Sequence, residues 1–176
     1  VQLPRDFGPA ELPKLEALLA HWPTQLPCAV EVRHPVFFHK GEEEKALNRL
    51  LITYSANRVM LDVRPVFSTP AEGHAGLAHA QQEKPKVPLH VLSTAELPII
   101  RFIGHIDKTI NTRYFAPWIE RLKLWISQGK TPFLFVHTAD NRESPEMARH
   151  LYHTLQQHIA LPELDPFADE KQSQLF

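Results

Sequence analysis

The chain has 176 residues, of which 43% are hydrophobic and 22% charged, a composition typical of a globular domain. A net charge of -1 and a pI of about 6.9 exclude a bulk positive field that would attract nucleic acid or anionic membranes. No stretch approaches the roughly 18 apolar residues of a membrane span, and the single cysteine, Cys28, excludes an internal disulfide. We therefore expect a cytoplasmic protein without a membrane partner.

Predicted strands and helices alternate along the chain. Apolar residues at helical spacing predict helices, and short β-branched or aromatic runs predict strands. In chain order these are a helix at 9–22, a strand at 29–33, a helix at 42–55, strands at 58–64 and 99–103, a helix at 111–128, a strand at 133–136 and a helix that begins at Ser144. This order predicts an α/β fold with a parallel sheet and helices on its outside.

The proline-rich stretch 65–98 interrupts this alternation. It contains one short alanine-rich segment, 76–83, and otherwise lacks the pattern of a helix or a strand. We expect a long connection at the ends of the strands.

Ionisable residues recur on one face of the predicted strands. Because strand side chains alternate between two faces, we expect the uniformly apolar face of each strand to contact the helices. The apolar sets are Val30 and Val32, then Val59, Leu61 and Val63, then Ile100 and Phe102. The opposite, mixed face would then point into the lumen of a barrel or towards its mouth.

The mixed face supplies the candidate site residues. They are Glu31 and Arg33 on the first strand, Asp62 and Arg64 on the second, and Arg101 and the following His105 on the third. His137, which ends the apolar run of the fourth strand, is a further candidate. Active sites of (β/α)-barrels lie at the carboxyl ends of the strands, where most of these residues fall.

Two interpretations of these charges stay open. In the first, Arg33, Arg64 and Arg101 bind a phosphate or carboxylate, since guanidinium matches both in bidentate fashion. Glu31 and Asp62 would then be catalytic acids or bases, with the two histidines assisting in substrate binding. In the second, the same charges form an internal salt-bridge network that fills the lumen.

Several segments resemble the YecE-like family, domain of unknown function 72. They are Val30-Glu31-Val32-Arg33-His34-Pro35, Leu61-Asp62-Val63-Arg64-Pro65 and Ile100-Arg101-Phe102-Ile103-Gly104-His105, supported by Lys84-Pro85-Lys86-Val87-Pro88 and the opening Gln2-Leu3-Pro4. The resemblance covers nearly the whole chain, with the motifs in the expected order. It implies a TIM-like (β/α)-barrel, in a family whose biochemical role is not established.

The resemblance also suggests how the chain is organised. A (β/α)-barrel typically needs roughly 250 residues, and Val1-Gln2-Leu3-Pro4 has the character of a strand end. We expect residues 1–163 to be the C-terminal part of one barrel domain whose N-terminal strands are missing, and residues 164–176 to be a tail.

No cofactor is indicated by a motif. The 11 histidines invite a metal hypothesis, but the usual ligand spacings do not occur, so no metal ligand is assigned and a divalent metal stays an open alternative. The six glycines form neither a phosphate-binding loop nor a dinucleotide pattern. No Gly-x-Ser-x-Gly elbow is present.

The last five residues form a possible docking peptide. Gln172, Leu175 and Phe176 give the pattern Gln-x-x-Leu-Phe, which resembles the peptide by which bacterial repair proteins bind the polymerase sliding clamp. Two apolar anchors would enter a pocket, with the glutamine amide fixing the register. The alternative is a tail that packs against its own domain.

Three hypotheses on function follow. The first is an enzyme that binds a small phosphorylated or carboxylated molecule through the arginines. The second is a nucleic-acid-maintenance protein that docks on the clamp, although the charge does not favour nucleic acid as a partner. The third is a non-catalytic binding protein, because a barrel fold does not by itself determine a function.

Overall fold

The computed structural model describes residues 1–139 and 141–167. Within them, the strands β1 (Ala29–Val30), β2 (Asn57–Asp62), β3 (Ile99–Ile103) and β4 (Phe133–His137) form one sheet in the order β1-β2-β3-β4. Every neighbouring pair is parallel. The helices are α1 (Leu12–Ala20), α2 (Glu42–Thr53), α3 (Ala75–Glu83), α4 (Lys108–Ser127) and α5 (Ser144–Gln156), with short 3-10 turns at Pro9–Glu11 and Pro35–Phe38. The predicted α/β fold with a parallel sheet is confirmed.

Strand β1 is shorter than the predicted strand at 29–33. The next residue, Glu31, continues the parallel pairing with the opening residues of the chain. Glu31 forms an isolated parallel bridge with Gln2. The Leu3 amide donates to the Glu31 carbonyl at 2.9 Å, and the Glu31 amide donates to the Val1 carbonyl at 2.9 Å. The opening residues therefore lie beside β1, and they hold Glu31 at the edge of the sheet.

The start of α4 differs from the prediction, whereas the start of α5 agrees with it. Helix α4 begins at Lys108, ahead of the predicted Asn111, because the Asp107 carboxylate accepts the Thr109 amide at 2.8 Å. Helix α5 begins at Ser144, as predicted. The Ser144 hydroxyl accepts the Thr138 amide at 2.9 Å, which ties α5 to the end of β4.

Helices α1, α2, α4 and α5 pack on one side of the sheet, which we call the outer face. Val30 and Val32 pack with α1 and α2 in one core cluster. Ile100 and Phe102 pack with α4 and α5 in a second cluster that includes the buried Trp118. The predicted orientation of the first and third strands is confirmed. We call the opposite side of the sheet the inner face.

The predicted orientation of β2 is wrong. Met60 and Asp62 pair in register with Ile100 and Phe102, so they lie on the outer face. Leu61 pairs with Arg101, which places Leu61 on the inner face. The apolar side chains of β2 are buried on the inner face instead. The apolar character of this side of β2 therefore does not show that it faces the outer helices.

Helix α3 is the element that covers β2 from the inner face. It belongs to the long connection between β2 and β3, and its buried Leu77 and Ala80 pack with Leu61, Val63 and Ile103. The connection is therefore not a loose loop. It lies over the carboxyl ends of the strands, where the site residues were expected.

Residues 161–167 form no helix or strand. Leu161 packs against the outer-face cluster, while the predicted boundary between domain and tail at 163–164 stays a prediction. None of the helices in the described part of the chain is long and apolar enough to cross a membrane.

Candidate functional site

A cavity of 410 Å³ lies against the inner face of the sheet. Its polar lining comes from three strands and the opening segment, and its remaining lining is apolar. The lining residues are Val1, Gln2, Ala29, Glu31, Val59, Ile99, Arg101, Phe135 and His137. Three of the predicted site residues therefore share one cavity: Glu31 directly after β1, Arg101 in the middle of β3 and His137 at the end of β4.

Glu31 and Arg101 form an ion pair in this cavity. The Glu31 side chain is buried, and its Oε2 accepts from Nη1 of Arg101 at 2.5 Å. Its other oxygen, Oε1, accepts from the Gln2 side-chain amide at 2.9 Å. The carboxylate of Glu31 thus balances the charge of Arg101 and holds its guanidinium in place, which leaves the catalytic role predicted for Glu31 a prediction.

Arg33 follows Glu31 by two residues in the segment after β1. Its Nε is buried and makes no hydrogen bond to any residue that the structure describes. A buried guanidinium nitrogen without an acceptor costs free energy. A bound anion would supply the missing acceptor.

Lys84 joins this group from the C-terminal end of α3, and it was not among the predicted site residues. Burial lowers the pKa of Lys84, and the positive charges of Arg101 and Arg33 lower it further. Glu31 and Glu83 oppose this effect. The motif Lys84-Pro85-Lys86-Val87-Pro88 contained the only sequence signal for this residue, and that signal did not indicate a site.

The position of Lys84 follows from the packing of α3 rather than from the sheet. Leu77 and Ala80 fix α3 on the inner face. The Lys84 amide caps the helix by donating to the Ala80 carbonyl at 2.9 Å, and the Arg5 guanidinium donates to the carbonyl of Glu83. These contacts hold the end of α3 beside the segment that precedes β1.

His137 borders the same cavity from β4. Its Nδ1 lies 3.4 Å from Oδ1 of Asn141. Burial lowers the pKa of His137, and the charges of Arg101 and Lys84 add to this effect, against the opposing influence of Asn141 and Glu31. The imidazole is therefore held neutral near pH 7, where it can accept a proton.

Asp62 and Arg64 do not belong to this group. Asp62 is fully buried on the outer face, where its Oδ2 accepts from Nε1 of Trp118 at 2.8 Å. Arg64 binds the same carboxylate through Nε and Nη2 at 2.9 and 2.8 Å, and it lies over the Tyr114 ring. The expectation that both side chains share the inner face with Arg101 is wrong, because β2 presents its polar side to α4.

His105 has both ring nitrogens engaged. Nδ1 accepts the Asp107 amide at 2.9 Å, so Nε2 carries the proton and donates to the Thr69 hydroxyl at 2.8 Å. Burial lowers the pKa of His105 and keeps the ring neutral. The ring therefore joins the long connection to the start of α4. Both ring nitrogens already have partners among the described residues, so the predicted role of His105 in substrate binding stays a prediction.

A buried polar network on the outer face was missed by sequence reasoning. Arg58 donates to Oε1 of Glu44 at 2.8 Å, to Oδ1 of Asn48 at 2.7 Å and to the Phe37 carbonyl at 2.6 Å. His90 also contacts Oε1 of Glu44, at 2.6 Å. A charged pair at the start of a strand and on a helix gives no sequence signal that the two will meet. We interpret the network as structural, because its donors and acceptors satisfy one another.

Two further predictions concern metals and partners. In residues 1–139 and 141–167, no three His, Cys, Asp or Glu side chains are grouped so that they could hold a metal ion. The docking residues Gln172, Leu175 and Phe176 lie outside the described residues. The clamp hypothesis therefore stays a prediction from the sequence, and clamp pull-down with and without residues 172–176 would test it.

The comparisons with known proteins give the family. The family model described as "Protein of unknown function DUF72" matches residues 1–172. The chain belongs to the DUF72 family. It is 46% identical over 177 residues to "UPF0759 protein YecE" of Escherichia coli strain K12, and 45% identical to the protein of the same name in E. coli O157:H7. Each alignment covers all of this chain and 64% of the relative, so the chain spans less than two thirds of the length of these relatives.

Solved structures confirm the fold of this DUF72 chain. One crystal structure of a DUF72 family protein from Enterococcus faecalis V583 matches with a TM-score of 0.60 at 20% identity, covering 89% of this chain and 59% of that one. A second matches with a TM-score of 0.59 at 17% identity, covering 94% and 60%. The likeness shows an α/β arrangement of the TIM-barrel type.

Proposed function

We propose that this DUF72 chain binds a small phosphorylated or carboxylated molecule at the inner face of its sheet. Arg33, Lys84 and Arg101 provide the positive charge, and Glu31 is the carboxylate paired among them. The observation that carries the proposal is the buried Nε of Arg33, which has no acceptor among the described residues. A phosphate or carboxylate oxygen is the acceptor that a guanidinium binds best.

The charge distribution supports a small anion rather than a long polyanion. Arg101 lines the cavity from β3, and the charges of Arg101 and of Arg33, in the segment after β1, both act on Lys84 at the end of α3. The chain as a whole has a net charge of -1. Nucleic-acid binding instead requires an extended basic surface that neutralises several phosphates. The cluster is local, so its ligand should be small.

The proposed site differs in composition from the three-arginine site predicted from the sequence. Arg64 is neutralised by Asp62, whose hydrogen bonds raise the pKa of the guanidinium further. Lys84 takes its place in the cluster. Since relatives are longer than this chain, further side chains of the whole protein are expected to add to the specificity of the site.

Titration calorimetry tests the proposal with inorganic phosphate, glycerol 3-phosphate and malonate as probes. We expect at least one probe to bind, and the Arg33→Gln variant to raise its Kd at least about tenfold, which equals 1.4 kcal/mol. Arg113→Gln is the matched control, because Arg113 is exposed on α4. It should leave the Kd unchanged.

Two outcomes would contradict the proposal. One is that none of the probes binds to the wild-type protein at millimolar concentration. The other is that Arg33→Gln and Arg113→Gln bind every probe as tightly as the wild type does. Circular dichroism of the variants checks that a loss of binding does not reflect unfolding.

A further inference from the structure

The imidazole of His137 presents a hydrogen-bond acceptor to the inner-face cavity that it lines. Its Nδ1 lies 3.4 Å from Oδ1 of Asn141, and an amide oxygen can only accept, so Nδ1 carries the ring proton. In the neutral ring Nε2 therefore keeps its lone pair. This nitrogen has no hydrogen-bond partner in residues 1–139 and 141–167, so a ligand can use it.

The turn that follows β4 places the partner of this ring. Asn141 has a φ of 64°, in the left-handed region that asparagine adopts more readily than most residues. Its backbone amide donates to the Thr138 carbonyl at 3.2 Å, and the Ser144 amide donates to the Asn141 carbonyl at 3.4 Å. These bonds hold the side chain of Asn141 beside Nδ1, so the backbone of the turn sets which ring nitrogen is the acceptor.

Arg101 supplies a hydrogen-bond donor from the neighbouring strand. In the register of β3 and β4, Arg101 pairs with Phe135 and Ile103 pairs with His137. Arg101 and His137 therefore lie on the same face of adjacent strands, two residues apart along the strand direction, which corresponds to roughly 8 Å between their Cα atoms. Among the described residues only Nη1 of Arg101 has a partner, Glu31, and the side chain is partly exposed. Its other nitrogens can bind an anionic oxygen of a ligand.

Apolar side chains form the rest of the wall between these two polar groups. Val59 of β2, Ile99 of β3 and the half-exposed Phe135 of β4 all line the cavity. Its volume of 410 Å³ lies near the lower end of the roughly 300–1,000 Å³ that is usual for small-molecule sites. This lining favours an organic acid with a short carbon skeleton over a bare inorganic anion.

We infer that the inner-face cavity takes a small hydroxylated carboxylic acid, whose carboxylate is bound by Arg101 and whose hydroxyl donates to Nε2 of His137. A donor and an acceptor that line one cavity are matched by a ligand that carries the reverse pair of groups. A carboxylic acid without the hydroxyl would cover the His137 acceptor and leave it unmatched, which costs affinity.

This inference rests on the proposed anion site, of which Arg101 is one cation, and names its substrate class. Titration calorimetry near pH 7 tests it with pairs of acids that differ by one hydroxyl, namely lactate against propionate and malate against succinate. Each hydroxy acid is measured as both enantiomers. We expect at least one of them to bind about two- to tenfold more tightly than its partner, as one net hydrogen bond provides.

Substitutions of His137 separate the hydroxyl contact from binding of the carboxylate. His137→Phe should remove the preference for the hydroxy acid and leave the Kd of its partner acid unchanged, which also shows that the variant is folded. His137→Gln should keep part of the preference, because the glutamine amide oxygen can accept the same hydroxyl. His150→Phe is the matched control, since His150 is exposed on α5, and it should bind as the wild type does.

The carboxylate contact is tested by removing the ion pair as a whole. Glu31→Gln/Arg101→Gln leaves neither buried charge without its partner. It should raise the Kd of both acids of a pair at least about tenfold, because a hydrogen bond to a charged group is lost. An undiminished affinity of the double variant for both acids would overturn the assignment of the carboxylate to Arg101.

The outcomes distinguish the hydroxy-acid class from the anion site itself. Equal Kd values within each pair, or a preference that His137→Phe retains, overturn the hydroxy-acid class; if Arg33→Gln still weakens binding, the anion site stands. A preference that His137→Phe removes, in binding that Arg33→Gln leaves unchanged, supports the hydroxy-acid class and contradicts the role of Arg33. Absence of binding by every acid and by phosphate at millimolar concentration overturns both.

Discussion

At the scale of single residues, the buried charged side chains differ in whether they have hydrogen-bond partners within the described part of the chain. Glu44 and Arg58 are each 3% exposed and satisfy one another on the outer face. Arg33 has a buried nitrogen with no acceptor in the described part of the chain. The first pattern is that of structural ions, and the second is the basis of the proposed anion site.

The Glu44→Gln substitution should destabilise the fold by about 3 kcal/mol or more, because it leaves Arg58 charged and buried without a carboxylate. Urea denaturation at pH 7 measures the change. Glu42→Gln on the same helix is the control, since the Glu42 side chain is 75% exposed and solvent screens its pair with Lys45. Equal losses in the two variants would contradict the structural role of the network.

The same network should show in the pH dependence of stability. Burial acts to raise the pKa of Glu44, but hydrogen bonds from His90 and the Lys40 amide and the charge of Arg58 outweigh it, so the pKa lies below the ordinary 4.5. A lowered pKa stabilises the folded state above about pH 4.5, and this stabilisation is lost as pH falls through the folded value. Glu44→Gln should lack this part of the acid dependence.

At the scale of elements, the junction between β3 and α4 depends on close packing. An added Cβ at Gly104 would lie 3.0 Å from Oδ1 of Asn111. Asn111 is fully buried, and its side-chain amide bonds both the amide and the carbonyl of His105, at 2.6 and 2.8 Å. The asparagine therefore has no freedom to move aside.

Gly104→Ala should for this reason destabilise the fold by about 1–3 kcal/mol, the usual cost of overpacking. Thermal unfolding followed by circular dichroism measures it. Gly8→Ala is the control, because its Cβ would make ordinary contacts of 3.6 Å or more. A Tm of Gly104→Ala at or above that of Gly8→Ala would show that Asn111 yields.

At the scale of the whole molecule, the two faces of the sheet are covered unequally. Helices cover the outer face, while α3 covers only the carboxyl-end part of the inner face. Phe133 and Phe135 on β4 are 44% and 51% exposed. Parallel sheets are ordinarily covered on both faces, and in the described part of the chain the inner face presents these apolar side chains beside the candidate site.

This surface should bind an apolar dye such as ANS. Phe135→Ser should lower the dye fluorescence of the chain clearly while changing its stability by less than about 1 kcal/mol, because the side chain is half-exposed. Ile52→Ser is the control, as Ile52 is 57% exposed on α2 alone. Equal fluorescence losses in the two variants would contradict an inner-face binding surface.

Part of the fold and part of the site could be predicted from the chain alone. Helical periodicity and β-branched runs located the strands and the main helices to within a few residues, because these signals are local. Strand alternation placed Glu31 and Arg101 on one face, and the structure pairs them there. The same rule failed at Asp62, whose partner Trp118 lies 56 residues away in sequence.

The sequence by itself determined the order of the elements, the parallel α/β class and the family, because all three depend on local pattern and motif order. The tertiary structure alone decided which charges become neutralised and which stay available. Asp62 lies on the outer face, where Trp118 of α4 donates a hydrogen bond to it. Lys84 lies on the inner face because α3, which it follows, packs against Leu61. Both outcomes depend on contacts between distant segments, and the energy of a buried charge is set by such contacts rather than by its neighbours along the chain.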